Sequence, residues 1–445
     1  MRANLGVWPY VGMATMVTLL VPVSSFGAAG DSSKVTFAKD IAPILQEKCQ
    51  DCHRAGSMAP MSLLTYDETR PWARSIKERV VTRQMPPWHI DKVGVQKFKN
   101  DMSLSDEQID KIVRWVDQGA PMGDPKDMPP AKEWPKDNEW QASKILGKPD
   151  FIIEADPYTM PAHHQDVWFR PVTQIPITEP SWVRAVEMRP STAAGRRIIH
   201  HAVAYLDQDE PIDPNGPDRA AALGGRGMLM EWAIGKQYDF YRPNTGKLLL
   251  PGSRISWDVH IHAVGEELRS GVQLGVWLYP KDQAPKYRTY LTGFQALPRG
   301  RLDIPPNTVS EHQGFTVLKQ AARLENIQPH MHFRGKAMML EAILPDGTIQ
   351  VVSYVGHFNF NWMTNYIYAD DAAPMFPKGT VIHVIAWHDN TTANKNNPDP
   401  EQWVGFGDRT VDEMGHAWVN VTYVSDEDYK EWLAKRKGQQ ETASH

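Results

Sequence analysis

Only two cysteines occur in 445 residues, at positions 49 and 52, so no disulfide framework can organise this chain. Stability must come from packing, and the pair needs a chemical explanation of its own. A thioredoxin-like redox pair is one candidate, but that motif belongs in a βαβ setting, and here a histidine follows directly. Cys49-Gln50-Asp51-Cys52-His53 has the C-x-x-C-H spacing in which two thiols form thioethers to a porphyrin and the histidine ligates its iron. The expectation is one covalent c-type haem on Cys49, Cys52 and His53; a chance motif, a zinc site short of ligands and a structural pair are the alternatives.

Flanking patterns agree with a small helical haem unit. Phe37, Ile41, Ile44 and Leu45 share one helical face, although Pro43 argues against a long regular helix. Ser105 and Gln108 have capping-box spacing, Ile109, Ile112, Val113 and Val116 form a stripe, and Gly119 offers a stop. This resembles the closing helix of a small cytochrome c. Between the two helices, Met85 precedes Pro86-Pro87-Trp88, and a thioether ahead of a stiff proline pair suits the sixth iron position. Met58, Met61 and His89 compete for it, and Met85 packing on a ring edge is the plain alternative.

At this length about three domains are expected. The N-terminus carries Arg2, an apolar run from Val11 to Val23 and small residues up to Ala29, which reads as a signal peptide over residues 1–29. That run falls short of the roughly 20 residues of a membrane helix, so the mature chain is expected without a span, periplasmic or otherwise exported. A net charge of −5 without a Lys/Arg block speaks against nucleic acid as partner. Residues 34–123 read as the haem domain, 124–150 as a proline-bearing linker, 151–298 and 299–425 as two β domains, and 426–445 as a solvated C-terminal helix and tail.

Beyond the linker, short alternating runs dominate. Val272, Leu274, Val276 and Leu278 share one face, and Trp418, Asn420 and Thr422 alternate with Val419, Val421 and Tyr423. With turn signals such as Pro345-Asp346-Gly347 between them, these predict all-β sandwiches. Histidines cluster on them as His200-His201, His260-Ile261-His262 and His330-Met331-His332. In a strand, i and i+2 share a face, so His330 and His332 can present two imidazoles to one ion. Adjacent His200 and His201 would point oppositely, and sharing a metal requires a strand end or bulge there.

Taken with Trp257-Asp258-Val259-His260, Gln328-Pro329-His330-Met331-His332-Phe333-Arg334-Gly335-Lys336 and Thr410-Val411-Asp412-Glu413-Met414, the order of these motifs resembles the copper type II, ascorbate-dependent monooxygenases, whose members hydroxylate peptidylglycine or dopamine. The resemblance runs from about Phe151 to Tyr423 and implies two jelly-roll-like β domains with two copper ions across a solvent-filled cleft. It implies His200, His201 and His260 as ligands of an electron-transfer copper, with His262 as the alternative to His260. It implies His330, His332 and Met414 at the copper that meets O2 and substrate, and a thioether suits Cu(I). Where the peptide-hydroxylating members bring an arginine and a tyrosine to the substrate carboxylate, this chain has Gln328 and Trp418, which argues against a peptidylglycine substrate.

Hydroxylation of a C–H bond by O2 needs two electrons from outside, delivered singly, and a tethered haem is a one-electron carrier. The expected activity is therefore a copper-dependent monooxygenase acting on a small organic substrate, with a soluble or quinol-linked electron donor. The rival readings are a non-catalytic haem-copper electron-transfer or copper-handling protein, and a zinc hydrolase. Lys336, Arg334 and Trp418 are pocket or structural residues in equal measure. His163-His164 reads as a surface or packing pair, His357, His383, His388 and His416 as structural, with His416 beside the second metal set as its alternative, and Gly224-Gly225-Arg226-Gly227 as a loop rather than a phosphate cradle.

Overall fold

The computed structural model describes residues 34–443 except 56, 58, 135–138, 211–226, 234, 235, 237 and 297–301. The expected signal peptide, Met58 and residues 224–226 of the glycine-rich run lie outside the described residues. Below, structural statements concern the described residues.

The N-terminal segment is helical and closes over its own apolar core. Phe37–Ile41 forms one wide turn that leads into the helix Ala42–Lys48, with Pro43 accommodated in the first turn, where its missing N–H costs nothing. Phe37, Ile41, Ile44 and Leu45 are all buried there. Ser105 and Gln108 form the full capping box at the start of the helix Asp106–Asp117. Its buried residues are Ile112 and Trp115, with Ile109 and Val116 packed beside them. Trp115 replaces Val113 in the expected stripe, because its indole reaches inward and its Nε1–H donates to the Pro121 carbonyl.

The rest is mostly β, in two sandwich-like halves joined by one long sheet. Eleven strands belong to that sheet, running from Phe151–Glu154 through Val272–Leu278, Ser181–Pro190, Thr245–Leu249, Tyr287–Gln295 and Gly415–Val424 to Ala321–Leu324 and Met375–Phe376. A five-stranded sheet containing Arg254–Ile261 and Ile199–Asp207 shares the first core with it, and a four-stranded sheet, Val309–Val317, Val381–Asp389, Gly335–Ile343 and Ile349–Val355, shares the second. Tyr287–Gln295 pairs over eight residues with Gly415–Val424 and over two with Thr245–Leu249, so the strand assigned by sequence to the first β domain ties both halves together.

Alternation holds on the strands, but both faces are often covered. Val272, Leu274 and Val276 fill the first core, while Trp277 on the opposite face packs against Trp140, from the expected linker. That linker is anchored here, since Glu187 accepts from the N–H groups of Gln141 (3.0 Å) and Ala142 (2.9 Å). The stretch around Trp88, Ile90, Val95 and Phe98 packs on the second β core rather than on the helices, with Val95 N–H donating to the Val352 carbonyl at 2.9 Å. The C-terminal helix spans Asp426–Ala443 and is docked through Trp432, whose ring centre lies 4.8 Å from that of Tyr287. No helix is long and apolar enough to cross a membrane.

Candidate metal and haem sites

The first histidine set is made by a bulge. His201 sits opposite His260, yet Ile261 pairs with Ile199, so His200 is the residue left without a partner in the ladder. That extra residue turns its ring toward its neighbour, and the Nδ1 atoms of His200 and His201 lie 3.1 Å apart. One ring nitrogen from each of His200, His201 and His260 falls within 4.8 Å of the others. Of the two devices that would let adjacent histidines share a metal, a strand end or a bulge, the bulge is present.

The third ring is held from behind. His260 Nε2 lies 2.9 Å from Asp166 Oδ2, and Trp168 stacks on the ring at 4.4 Å. A proton on Nε2 leaves Nδ1 as a bare lone pair, and that Nδ1 is buried without any hydrogen-bond partner. A carboxylate-backed imidazole with an orphaned second nitrogen suits a metal. His262 lies outside the converging triad, its ring centre 6.3 Å from that of His200. Burial pushes His200 down to about 4 and His201 well below the usual histidine range, so both rings are neutral donors at physiological pH.

The second set adjoins the first. His330 is the last residue but one of the strand Asn326–Met331 and His332 follows the strand, their ring centres 5.4 Å apart. His332 Nδ1 lies 3.1 Å from the Asp412 carbonyl, which leaves the Nε2 lone pair available to a metal. Burial lowers His332 to about 4 and His330 well below its ordinary value. The rings of His330 and His201 are 5.9 Å apart, so the two sets abut instead of facing each other across the cleft that the resemblance implies. The long sheet running through both halves brings them together.

Glu413 organises this second set. Its carboxyl accepts from the N–H groups of His332 (2.9 Å), Arg334 (2.5 Å) and Met414 (3.3 Å), tying the His-x-His segment to the segment that carries Met414. Burial pushes its pKa up to about 8 against the pull of those donors. Met414 is also anchored through its carbonyl, 2.9 Å from His388 Nε2. The sulfur found 3.0 Å from His330 Nδ1 is that of Met363, which sequence reasoning did not single out. An isolated methionine in a loop carries no periodic signal, and only the fold brings it here.

Neighbouring residues divide by role. Arg334 is buried and structural, its guanidinium donating to Asn390 Oδ1 and to the carbonyls of Val411 and Asp399. Lys336 is half-exposed. Trp418 lies over His330 at 4.6 Å, and His416 at 4.7 Å. Gln328, paired across the ladder with Trp418, is fully buried, and neither atom of its amide has a partner; nor does Trp418 Nε1. Phe360 stacks on His200 at 5.1 Å, a contact with no forerunner in the sequence pattern. His163 and His164 are exposed as expected, and His383 is engaged by Glu341 and Gln313.

The C-x-x-C-H segment opens on a cavity of about 720 Å³. Cys49, Cys52, His53, Met61 and Met85 all line it, and Leu45, Ile76, Val80 and Ile112 supply apolar walls. His53 Nδ1 lies 3.2 Å from the Met61 carbonyl, an arrangement that fixes the tautomer and leaves Nε2 for a metal. Burial pushes the Cys49 thiol up to about 12 and the Cys52 thiol to about 11, unlike the depressed values of a reactive redox pair. His89, one of the competitors for the sixth position, instead docks on the β region, where its backbone N–H donates to the Tyr366 hydroxyl at 3.2 Å. Residues, volume and apolar lining fit a covalently held porphyrin.

The chain matches no family model, and no curated protein matches it. PNGF-II overlaps 61% of this chain at 9% identity and a TM-score of 0.29, and the overlap spans 65% of that chain, just under two thirds of its length. The major capsid protein P2 of bacteriophage PM2 overlaps 62% of this chain and 97% of its own at 12% identity, with a TM-score of 0.27. For the VP2 subviral particle of infectious bursal disease virus the figures are 60%, 59% and 12%, with a TM-score of 0.18. These overlaps are too slight to assign a fold family or a function.

Proposed function

We propose that this chain is an exported copper-dependent monooxygenase of the copper type II class, in which a cytochrome c-like segment and two copper-binding β-sandwich halves act together. The observation that carries the reading is the convergence of neutral, buried or partly buried imidazoles in two adjoining sets, in a chain whose C-x-x-C-H residues line a cavity. His200, His201 and His260 would hold one copper ion, and His330 and His332 with Met414 the other. Uncharged imidazoles and a thioether suit copper, whereas zinc gains little from methionine sulfur. Cys49 and Cys52 would carry the haem, with His53 and Met85 as its axial ligands.

Copper supplies one-electron and oxygen chemistry when bound, and the chain's residues orient it and exclude water. Asp166 sets the His260 tautomer, Glu413 holds His332 against the Met414 segment, and Phe360 and Trp168 cover the rings. The overall reaction consumes a C–H bond, O2, two electrons and two protons and yields an alcohol and water. Gln328 and Trp418 place neutral hydrogen-bonding groups beside His330, which favours a small uncharged polar substrate over a carboxylate.

Metal analysis and copper EPR on the purified protein test the proposal, with two coppers and one haem iron per chain as the expected result. Oxygen uptake linked to a hydroxylated product, with label from ¹⁸O2, separates the enzyme from a non-catalytic haem-copper carrier. Iron without copper at either set would rule the reading out.

A further inference from the structure

We infer that Trp362 and Met363 form the electron path from the haem cavity to the ring of His330. The inference rests on the reading that this chain holds both haem and copper, and it names where electrons enter the copper pair. Trp362 lines the cavity that contains Cys49, Cys52 and His53. The next residue, Met363, places its sulfur 3.0 Å from His330 Nδ1. One peptide bond and the Met363 side chain therefore lead from the cavity wall to the ring of His330.

The segment is held at both ends. Trp362 N–H donates to the Asn359 carbonyl at 2.9 Å, and Thr364 Oγ1 donates to the Pro87 carbonyl at 3.0 Å. Asn100 donates to the Asn365 carbonyl at 2.7 Å and accepts from Ile367 N–H at 3.0 Å. Pro87 and Asn100 themselves line the cavity, so the same hydrogen bonds lock the haem-bearing segment to the bridge. Met363 is 3% exposed and packs with Phe360 and Ala233, which keeps water from the path. From His330, the ring of His201 is 5.9 Å away, so the first histidine set is reached through the second. This reverses the order in which the three-histidine copper would be fed first.

The step is a single electron transfer. A reduced haem iron loses one electron, a cupric ion at His330 gains it, and no bond or proton moves. The test uses the full-length, haem- and copper-loaded protein, anaerobic and without substrate. A light pulse with a soluble photoreductant places one electron on the haem, and the return of the oxidised haem band is followed with freeze-quenched copper EPR. Trp362→Leu and Met363→Leu should lose the fast phase of haem oxidation, while Trp362→Phe keeps it. Haem spectrum, copper content and direct reduction of copper by dithionite should match the parent protein. His260→Ala, which removes a ligand of the other copper, should keep the fast phase. A fast phase lost in His260→Ala and retained in Met363→Leu overturns the path even if the leucine variant at 362 does not fold. A parent protein that lacks haem or copper overturns the path together with the reading beneath it.

Discussion

Replacing Asp166 by asparagine isolates the contribution of one hydrogen bond to metal binding. The Asp166 carboxylate lies 2.9 Å from His260 Nε2 and directs the proton to that nitrogen, leaving the Nδ1 lone pair available to an ion. A carboxylate behind a ligating imidazole is worth about 10–100-fold in metal affinity. Asp166 has 40% of its side chain exposed, so water takes over part of its role and the lower end applies. Asp166→Asn should therefore weaken copper binding at this set about tenfold, or about 1.4 kcal/mol. Asp166→Ala, which removes the acceptor as well as the charge, should cost more than Asp166→Asn. The assay is competition for Cu(I) against a coloured chelator, paired with melting of metal-free and metal-loaded protein. At a free metal level of about 100 Kd the ion adds about 2.7 kcal/mol of stability, and roughly half of that increment should vanish in the asparagine variant. Equal affinity and an equal melting increment in parent and both variants would refute the assignment of His260 as a ligand.

Other tests address the remaining parts. Cys49→Ala with Cys52→Ala should abolish covalent haem, read as loss of haem staining on a denaturing gel, while the β halves keep their copper content. Met414→Leu should lower Cu(I) affinity while leaving the haem spectrum unchanged; an unaltered Cu(I) titration would count against Met414. Lys236 is buried between Glu231 and Asp239, so Lys236→Met removes the cation that both carboxylates contact and should cost about 3–5 kcal/mol in urea unfolding. In metal-free protein, His200 and His332 have folded pKa values of about 4, below the usual 6.5. The folded state then binds fewer protons than the unfolded one, so the stability present above pH 6.5 falls as the pH drops toward 4. Metal-free protein should show this acid sensitivity in denaturant midpoints, and copper, which binds only the neutral rings, should raise the midpoints near neutral pH without removing the fall.

Local pattern made much of this molecule legible. The helix Asp106–Asp117 was readable because Ser105 and Gln108 satisfy each other's N-terminal donors within four residues. That His200 and His201 could share a metal only at a strand end or bulge followed from a steric demand, since adjacent strand residues point apart, and the fold supplies the bulge. Boundaries were less legible. The strand Tyr287–Gln295 reads as part of whichever half it follows, and only its long pairing with Gly415–Val424 shows that one sheet serves both. Trp140 looked like linker, because nothing local reveals that Trp277 leaves an apolar face waiting for it.

The chain alone determined its periodicities, its caps, the C-x-x-C-H spacing and the pairing of imidazoles within each motif, all of which span a few residues and depend on backbone geometry. The tertiary structure decided what meets across long separations: His201 against His330, Met363 at His330 Nδ1, Asp166 behind His260, and the Trp362 wall of the cavity. Such contacts join segments with no shared periodicity. They exist because burying both faces of one continuous sheet brings the two halves and the N-terminal segment together.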